Sequence, residues 1–300
     1  MLGIVVVAHN SGSVLAECLE SCGEFANAPV AVVDNASNDD SVRVAKAAGV
    51  IVIANPENRG FAGAVNQGVR QLGTDLILLL NPDAELLSPV NALVAACLQP
   101  EVGACAGALV DSKTHQPQKG FAVRRFPSAA TLIFETLGLN RVFPWNPINR
   151  RYRCADLDLS TSKDIEQPAA AFLLFRRDAW ESVGGFDESF HPIWFEDVDF
   201  CKRLIDRGWR IRYVPEAIAS HEGGHSAGKL ASYKKRSYWY VSLLKYARKH
   251  YSELAFRCVC IAVLARTLLQ RSNRSCELDT EHKVINPSRF SVRGLITGKT

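Results

Sequence analysis

Carboxylates and aromatic rings alternate within residues 186–200 of this sequence. The five acids there are Asp187, Glu188, Glu196, Asp197 and Asp199. The five aromatic residues are Phe186, Phe190, Trp194, Phe195 and Phe200. Surface acids usually lie among lysines and small polar residues, so acids set among rings indicate a partly dry cleft in which a carboxylate can accept a proton.

An amphipathic helix follows and fixes the position of two of these acids. Apolar residues between Val198 and Ile205 share one face, and Gly208 is a natural helix end. Glu196 and Asp197 therefore fall in the first turn, where unpaired amides and the helix dipole favour an ionised carboxylate. Position alone fits a catalytic base and a pair of helix-capping acids equally well.

Composition limits the classes of function. A chain of 300 residues with 47% hydrophobic residues can bury the core of one large domain or two smaller ones. Its 35 basic and 31 acidic residues give a net charge of +4, which gives no general case for a nucleic-acid partner, and we expect none. The basic excess is local and lies between Lys229 and His250.

The predicted compartment is a reducing cytoplasm. Nine cysteines is an odd count in a long chain, and several lie in apolar patterns that are typical of small buried side chains. The N-terminus lacks a basic region followed by an apolar run and a cleavage site. Residues 256–269 are apolar, but Arg257 and Arg266 interrupt them, so we interpret them as a packed or interfacial helix rather than a membrane span.

Apolar strands alternate with helical segments along the chain. We predict strands over residues 3–8, 30–34, 50–54, 76–80, 102–110, 169–175 and 209–214. We predict helices over residues 13–22, 41–48, 61–72, 129–137 and 178–183, and helical spacing over 233–251. Continuous apolar strands between helices indicate an α/β fold with a mostly parallel central sheet flanked by helices. Residues 140–163 are rich in Pro, Asn, Arg and Asp without periodicity, which favours a mobile loop or lid.

Polar residues follow the first four predicted strands. They are His9 and Asn10, Asp34 and Asn35, residues 55–60, and residues 81–83. Ligands of parallel sheets bind at these carboxyl ends. The residues that follow the first predicted strand lack the G-x-G-x-x-G pattern of dinucleotide sites. The sequence contains neither a P-loop motif nor a nucleophile-elbow motif. A diphosphate ligand would therefore need a metal ion and backbone amides.

Five motifs occur in order along this framework. They are Val-Val-Asp-Asn-Ala-Ser-Asn-Asp (32–39), Asn-Pro-Glu-Asn-Arg-Gly-Phe-Ala (55–62), Leu-Leu-Asn-Pro-Asp (79–83), Gly-Gly-Phe-Asp (184–187) and Phe-Glu-Asp-Val-Asp (195–199). Together they resemble the family 2 glycosyltransferases of the GT-A fold, most closely the bacterial rhamnosyltransferase-like branch, over roughly residues 3–250. The resemblance implies transfer of a sugar from a nucleotide diphosphosugar with inversion at the anomeric carbon.

The resemblance also implies a donor site. Its residues are Ala8, His9, Asn10, Asp34, Asn58, Arg59, Gly60, Asn66, Asn81 and Asp83. Asp34 would read the nucleobase by accepting the N3–H of uracil or thymine, although an Asx turn also fits this position. His9 and Asn10 stand where the family more often has Thr-Tyr-Asn. Arg59 and Gly60 precede a helix whose amides could approach a phosphate, or form only a turn.

A divalent metal ion, Mg²⁺ or Mn²⁺, is the implied cofactor. Asp83 stands where many relatives have the second acid of Asp-x-Asp, and hard oxygen ligands suit either ion. Because Asn81 replaces the first acid, we expect weaker metal binding. His221 matches a family histidine that can complete the site, although a lone histidine is more often structural. His225 is a weaker candidate.

The resemblance assigns the reaction to the acids of residues 195–199. Asp197 matches the family base, and Glu196 would orient the acceptor or the base. Asp199 is interpreted as a first-turn helix acid. Alanines at 169–171 stand where relatives usually have a glycine-containing turn, so we expect a narrower acceptor space.

We therefore expect an inverting glycosyltransferase with a GT-A domain over residues 1–228, a helical segment over 229–271 and a polar tail over 272–300. The expected donor is dTDP-L-rhamnose or another pyrimidine diphosphosugar, and the acceptor a glycan or lipid-linked glycan of a bacterial surface polysaccharide. The alternative is an inactive nucleotide-sugar-binding protein. A nucleotidyltransferase would need a Gly-rich, Arg/Lys-containing loop after the first strand, which Ser11-Gly12-Ser13 does not supply. Aromatic and basic residues over 233–251 favour peripheral contact with an anionic inner membrane, or else an ordinary packed helix.

Overall fold

A computed structural model describes residues 1–26, 28–223 and 231–275 of the chain, with side chains up to residue 269. Its strands are β1 (Leu2–Ala8), β2 (Val30–Asp34), β3 (Ile51–Ala54), β4 (Leu76–Leu80), β5 (Ala84–Leu86), β6 (Val102–Asp111), β7 (Val123–Arg124), β8 (Lys163–Asp164), β9 (Gln167–Pro168), β10 (Phe172–Arg176) and β11 (Arg210–His221). Its helices are α1 (Leu15–Phe25), α2 (Ser41–Ala47), α3 (Gly60–Leu72), α4 (Asn91–Cys97), α5 (Ala129–Leu137), α6 (Leu139–Val142), α7 (Pro147–Tyr152), α8 (Arg177–Ser182), α9 (Glu196–Asp206), α10 (Ser232–His250) and α11 (Glu253–Ser275).

One central sheet organises the fold in the order β3-β2-β1-β4-β10-β6-β11-β5, with β8 paired to β11. Strands β1 to β4 pair in parallel, because the helices between them return the chain to the same end of the sheet. Strand β10 runs antiparallel between β4 and β6, so the sheet is mixed. Every residue of β2 and β4 is buried, which explains their continuous apolar sequences.

Alternate side chains of these strands supply the cores on the two faces of the sheet. Ile4, Val6 and Leu78 belong to one core cluster. Val5 and Leu79 belong to the other. Helices therefore cover both faces, as the sequence predicts, and the polar ends of β1, β2 and β4 are left at one edge.

The structure differs from the prediction made from the sequence in the following three segments. Residues 140–163 do not form a continuous loop, because α7 begins there at Pro147, with the Asn146 side chain accepting a hydrogen bond from the Asn149 amide at 2.9 Å. Strand β10 begins at Phe172 rather than at residue 169. Strand β11 continues beyond residue 214 to His221.

Helices α10 and α11 share a third core cluster with the segment that precedes α9. It combines Phe190 and Phe195 with Leu243, Tyr246 and Val259. The predicted helix over 233–251 is therefore confirmed and packs beside the acids of α9. None of the helices in the described ranges is long and apolar enough to cross a bilayer. The predicted polar tail, Lys229 and His225 lie largely or wholly outside those ranges.

Candidate active site

A cavity of about 410 Å³ opens at the polar edge of the sheet. Its walls include Asn81 and Asp83 after β4, His221 at the end of β11, and Glu196 and Asp197 at the start of α9. Side chains that are far apart in sequence meet here because their strands and helix end at the same edge. The structure therefore brings together these five residues, which the sequence predicts as site residues.

The ends of β1 and β2 are joined by a polar network centred on Asn35. The Asn35 amide donates to the Ala8 carbonyl at 2.8 Å, and the His9 imidazole lies 2.9 Å from the Asn35 carbonyl. The Asn35 side chain accepts from the Arg59 amide at 2.8 Å and donates to the Gly60 carbonyl at 3.1 Å. These bonds hold the start of α3 against the ends of β1 and β2.

Gly60 is required at the start of α3. Its φ is +75°, and a Cβ there would lie 2.9 Å from the His191 ring. Its amide donates to the Asn58 side chain at 2.8 Å. The Arg59 side chain is exposed and available to a ligand at this edge.

Asp34 has one carboxylate oxygen available for a ligand. Its Oδ2 accepts from the Ser37 amide at 3.0 Å, three residues along the chain, rather than from the amide two residues along that an Asx turn uses. Its Oδ1 is buried and has no hydrogen-bond partner among the described residues. A buried acceptor without a partner is costly, and an N–H donor from a ligand would satisfy it. Asn10 lies nearby, with its amide donating to the Ser37 hydroxyl at 2.9 Å.

Asn66 occupies a structural position rather than a ligand-facing one. It is 2% exposed, and its side-chain oxygen accepts from the Trp180 indole at 3.1 Å and the Phe186 amide at 2.9 Å. Its nitrogen donates to the Phe186 carbonyl at 2.8 Å and to Glu188 at 2.9 Å. With both ends engaged, Asn66 has no group left for the donor, and the prediction of direct donor contact is corrected.

Asp83 and His221 face each other across the cavity floor. The Asp83 carboxylate lies 3.5 Å from His221 Nε2, and the two side chains are 5% and 2% exposed. His221 Nδ1 lies 3.2 Å from the Gln118 side-chain oxygen, and Phe121 stacks on the ring at 5.2 Å. If Nδ1–H donates to Gln118, the lone pair of Nε2 points toward Asp83.

Burial lowers the pKa of His221 more than the neighbouring Asp83 raises it. The imidazole is therefore neutral at pH 7, which is the form that binds metals. Among the residues that the structure describes, no group of three or more His, Cys, Asp or Glu side chains is arranged to hold a metal ion. The pair fits a divalent ion only if a ligand's own oxygens complete its coordination.

Strained backbone precedes the two acids of α9. Trp194 and Phe195 have φ values of +79° and +69°, which is unfavourable for bulky side chains and occurs most often at functional sites. Asp197 is partly exposed to the cavity, and its Oδ1 accepts from the Val198 amide at 2.8 Å. Glu196 is 4% exposed, and its Oε2 has no partner among the described residues.

The surroundings of the two acids raise their pKa values to different degrees. Burial, and then the charge of Asp197, raise the pKa of Glu196 well above its ordinary value. Burial also raises the pKa of Asp197, but the Arg124 guanidinium and backbone amides oppose that rise. Asp197 is therefore the better placed of the two to be an ionised base, with a pKa moved toward the working pH. Glu196 is the better candidate for a protonated neighbour.

Sequence reasoning missed Arg124, which lines the cavity beside these acids. Its guanidinium donates to the Gly120 carbonyl at 3.1 Å and to the Tyr152 hydroxyl at 3.3 Å. Arg124 was overlooked because its strand, β7, has only two residues and no apolar periodicity. The aromatic residues Phe121 and Phe126 around it were the available signal.

Asp199 does more than begin a helix. It is buried and bonded to Arg203 at 2.7 Å, Lys249 at 2.8 Å and His250 at 2.7 Å. Burial alone would raise its pKa, but these three partners together lower it. Asp199 therefore anchors α10 to α9 and has no free oxygen for catalysis.

Comparisons with known proteins agree with this geometry. A model described as glycosyl transferase family 2 matches residues 3–179, and one described as glycosyl transferase family group 2 matches residues 160–276. The chain is 29% identical to the N-acetylglucosaminyl-diphospho-decaprenol L-rhamnosyltransferase of Mycobacterium tuberculosis (strain CDC 1551 / Oshkosh), covering 91% of this chain and 96% of the relative.

Solved structures share the fold at low sequence identity. The mannosyltransferase PcManGT from Pyrobaculum calidifontis in complex with GDP-Man and Mn²⁺ superposes with a TM-score of 0.54 at 14% identity, over 99% of this chain and 79% of that chain. GalNAc-T7 with UDP, GalNAc and Mn²⁺ gives 0.57 at 15% identity, over 74% of this chain and only 43% of that chain. These similarities confirm the GT-A fold predicted from the sequence.

Proposed function

We propose that this chain, a glycosyltransferase that belongs to glycosyl transferase family 2, transfers L-rhamnose from dTDP-L-rhamnose or a sugar from another pyrimidine diphosphosugar. The sugar moves to an acceptor hydroxyl with inversion at the anomeric carbon. One observation carries this proposal. The Asp83–His221 pair and the acids Glu196 and Asp197 line a single cavity at the edge of the sheet where β2 also ends, with a buried oxygen of Asp34 that has no partner among the described residues.

Asp34 is the proposed reader of the nucleobase. Its buried Oδ1 can accept one N–H, which matches the N3–H of thymine or uracil. His9 and Asn10 flank it at the end of β1, and Asn58, Arg59 and Gly60 are placed at the start of α3. The proposed path of the donor runs from this edge to the cavity, whose walls include Val7 of β1 and Phe61 of α3.

Asp83 and His221 are the proposed protein ligands of a divalent ion, Mg²⁺ or Mn²⁺. A bound ion would act as a Lewis acid for the departing nucleoside diphosphate. The Asn81 side-chain nitrogen lies 3.4 Å from His221 Nε2, so a bound ion would take the lone pair that Asn81 approaches in this structure. Two protein ligands leave coordination positions for diphosphate oxygens, and the mannosyltransferase and GalNAc-T7 structures each hold Mn²⁺ with a nucleotide.

Asp197 is the proposed general base. It would take the proton of the acceptor hydroxyl as that oxygen attacks the anomeric carbon from the face opposite the departing diphosphate. A positioned base of this kind contributes about 10²–10⁴-fold. Glu196, held protonated, would donate a hydrogen bond within the cavity without repelling Asp197. Arg124 would keep Asp197 ionised and could also contact donor oxygens.

The proposed acceptor is a lipid-linked glycan in the synthesis of a bacterial surface polysaccharide. The Mycobacterium tuberculosis relative is named for an acceptor of this kind, N-acetylglucosaminyl-diphospho-decaprenol. The alanines at 169–171 line the cavity, so their methyl groups occupy part of the space that an acceptor sugar would enter.

Peripheral contact with the cytoplasmic face of an anionic membrane is also part of the proposal. Most basic side chains near the end of α10 are engaged by partners within the protein, since Lys245 donates to the Ser189 carbonyl and Lys249 pairs with Asp187 at 2.6 Å. Lys234 stays exposed. Five large apolar residues of α11 are exposed, and they are Leu254, Ile261, Leu264, Leu268 and Leu269. The proposed membrane face therefore moves from α10 toward α11.

A panel of nucleotide sugars tests the donor assignment. Thermal unfolding of the purified chain is followed with dTDP-, UDP-, GDP- and ADP-sugars in the presence of Mn²⁺. A donor at 100 times its Kd should stabilise the fold by about 2.7 kcal/mol. We expect stabilisation by pyrimidine donors only, and its loss in Asp34→Ala. Equal stabilisation by purine donors would contradict the proposal, and donor binding without hydrolysis or transfer would favour an inactive binding protein.

A further inference from the structure

A second cavity, of about 390 Å³, adjoins the active-site cavity and is lined by four basic side chains. They come from three separate helices and are Arg141 of α6, Lys235 and Arg236 of α10, and Arg266 of α11. The volume lies within the range of about 300–1,000 Å³ that is typical of small-molecule sites. These residues are distant in sequence, so the positive charge is concentrated at this place only when the chain folds.

The three arginines of this cavity have no ion-pair partner within the part of the chain that the structure describes. Across the described ranges, no carboxylate forms an ion pair with Arg141, Arg236 or Arg266. Glu135 is the one acid among the lining residues, and it is engaged by Asn140 at 2.8 Å and by Arg153 at 3.5 Å. A cavity with this surplus of guanidinium groups favours an anion with several oxygens.

The two cavities share a wall. Trp194, Trp239 and Glu135 line both of them. Trp194 has its left-handed backbone directly before Phe195 and the two acids of α9. A ligand that lies across Trp194 and Trp239 can therefore place one part beside Asp197 and another part among the arginines. Val142, Phe143 and Trp145 follow Arg141 in the chain and are 64%, 53% and 70% exposed, which offers apolar surface next to the basic cavity.

We propose that the second cavity binds the diphosphate of a lipid-linked acceptor, with the acceptor sugar in the active-site cavity and the start of the lipid near Arg141. The proposal rests on the proposed sugar transfer for the identity of the ligand. The anion site itself depends only on the three arginines, Arg141, Arg236 and Arg266. Binding of a diphosphate explains why three helices outside the central sheet present arginines beside the acids of α9 that have no ion-pair partner among the described residues.

Binding of inorganic pyrophosphate tests the anion site without any sugar transfer. Calorimetric titrations are done in EDTA, so that the Asp83–His221 pair holds no metal. We expect pyrophosphate to bind the wild type, and Arg236→Ala with Arg266→Ala to raise its Kd at least about tenfold. The Arg266→Lys variant should restore part of the affinity. Arg257→Ala on the same helix, outside the cavity, and Asp83→Ala should leave the Kd unchanged.

Kinetics with two acceptors test the role of the site. One acceptor carries the sugar on a short lipid diphosphate, and the other carries the same sugar on a neutral alkyl chain. The double variant should raise the KM for the diphosphate acceptor at least about tenfold, with kcat and the KM for the donor unchanged, and should leave the neutral acceptor unaffected.

Absence of pyrophosphate binding, an unchanged Kd in the double variant, or equal KM changes for both acceptors would overturn the proposal. Thermal midpoints close to wild type exclude misfolding as the cause of a loss. If the chain transfers no sugar to any acceptor while the pyrophosphate titrations behave as expected, the anion site stands and the proposed transfer fails.

Discussion

Glu196→Gln is expected to stabilise the protein at neutral and alkaline pH while leaving transfer within about threefold of the wild type. Glu196 is 4% exposed, and burial raises its pKa well above the ordinary value of 4.5, with the charge of Asp197 raising it further. The folded state therefore binds this proton more tightly than the unfolded state does. Ionisation at higher pH removes that advantage, so the free energy of unfolding falls as pH rises.

The magnitude follows from one proton. Between pH 4.5 and the pKa in the folded state, the wild type should lose up to about 1.4 kcal/mol of unfolding free energy per pH unit relative to Glu196→Gln, and no more above that pKa. Urea denaturation at a series of pH values from 5 to 9 measures this difference. Glu181→Gln, at an exposed position, is the matched control and should show no such slope.

Activity completes the test. If Glu196 works in its protonated form, glutamine preserves its shape and its hydrogen-bond donor. Asp197→Asn removes the proposed base and should cost at least about a hundredfold in transfer, with the Kd of the donor unchanged. A stability difference that does not depend on pH, or a loss of transfer in Glu196→Gln as large as that in Asp197→Asn, would refute the assignment of the two acids.

Three other predictions concern separate parts of the molecule. EDTA should lower activity, and Asp83→Ala should raise the Mn²⁺ concentration needed for the half-maximal rate; full activity in chelator would mean that protein cations neutralise the diphosphate instead. Asn66→Ala should lower the free energy of unfolding by about 2–4 kcal/mol in urea denaturation, because it leaves buried groups without partners. The Kd of the donor should not change, and a raised Kd in the folded variant would mean that Asn66 contacts the donor directly. Co-sedimentation should show that the chain binds anionic but not neutral vesicles, and that salt or the double variant Lys234→Glu with Leu268→Glu weakens this binding. Equal, negligible binding to both kinds of vesicle would mean that α10 and α11 have only a structural role.

Much of the sheet and of the site could be predicted from local sequence. Strands such as β2 and β4 are short apolar runs between helices, and parallel strands end at one edge of a sheet. Asp34 and Asp83 therefore had to come near each other once the strands were recognised. The helix after Glu196 has a clear apolar face, and its start is where the sequence places it.

The remaining features depend on contacts that no local pattern specifies. The left-handed backbone of Trp194 and Phe195 lies where Phe195 packs against Trp239 and Tyr246 of α10. Arg124 lines the same cavity as Asp197 only because a two-residue strand passes it. Helix α7 was missed although Asn146 and Pro147 form a recognisable helix start, since its six residues show no periodicity. The basic cavity joins three helices whose mutual packing the sequence does not reveal.

The stereochemistry of a single turnover tests the central proposal most directly. The purified chain is mixed with a smaller amount of its nucleotide diphosphosugar and with acceptor, and the anomeric configuration of the new glycoside is read by NMR. A single displacement assisted by Asp197 predicts a configuration opposite to that of the donor. Retention of the donor configuration would contradict it, because it would require a mechanism other than one direct displacement by the acceptor.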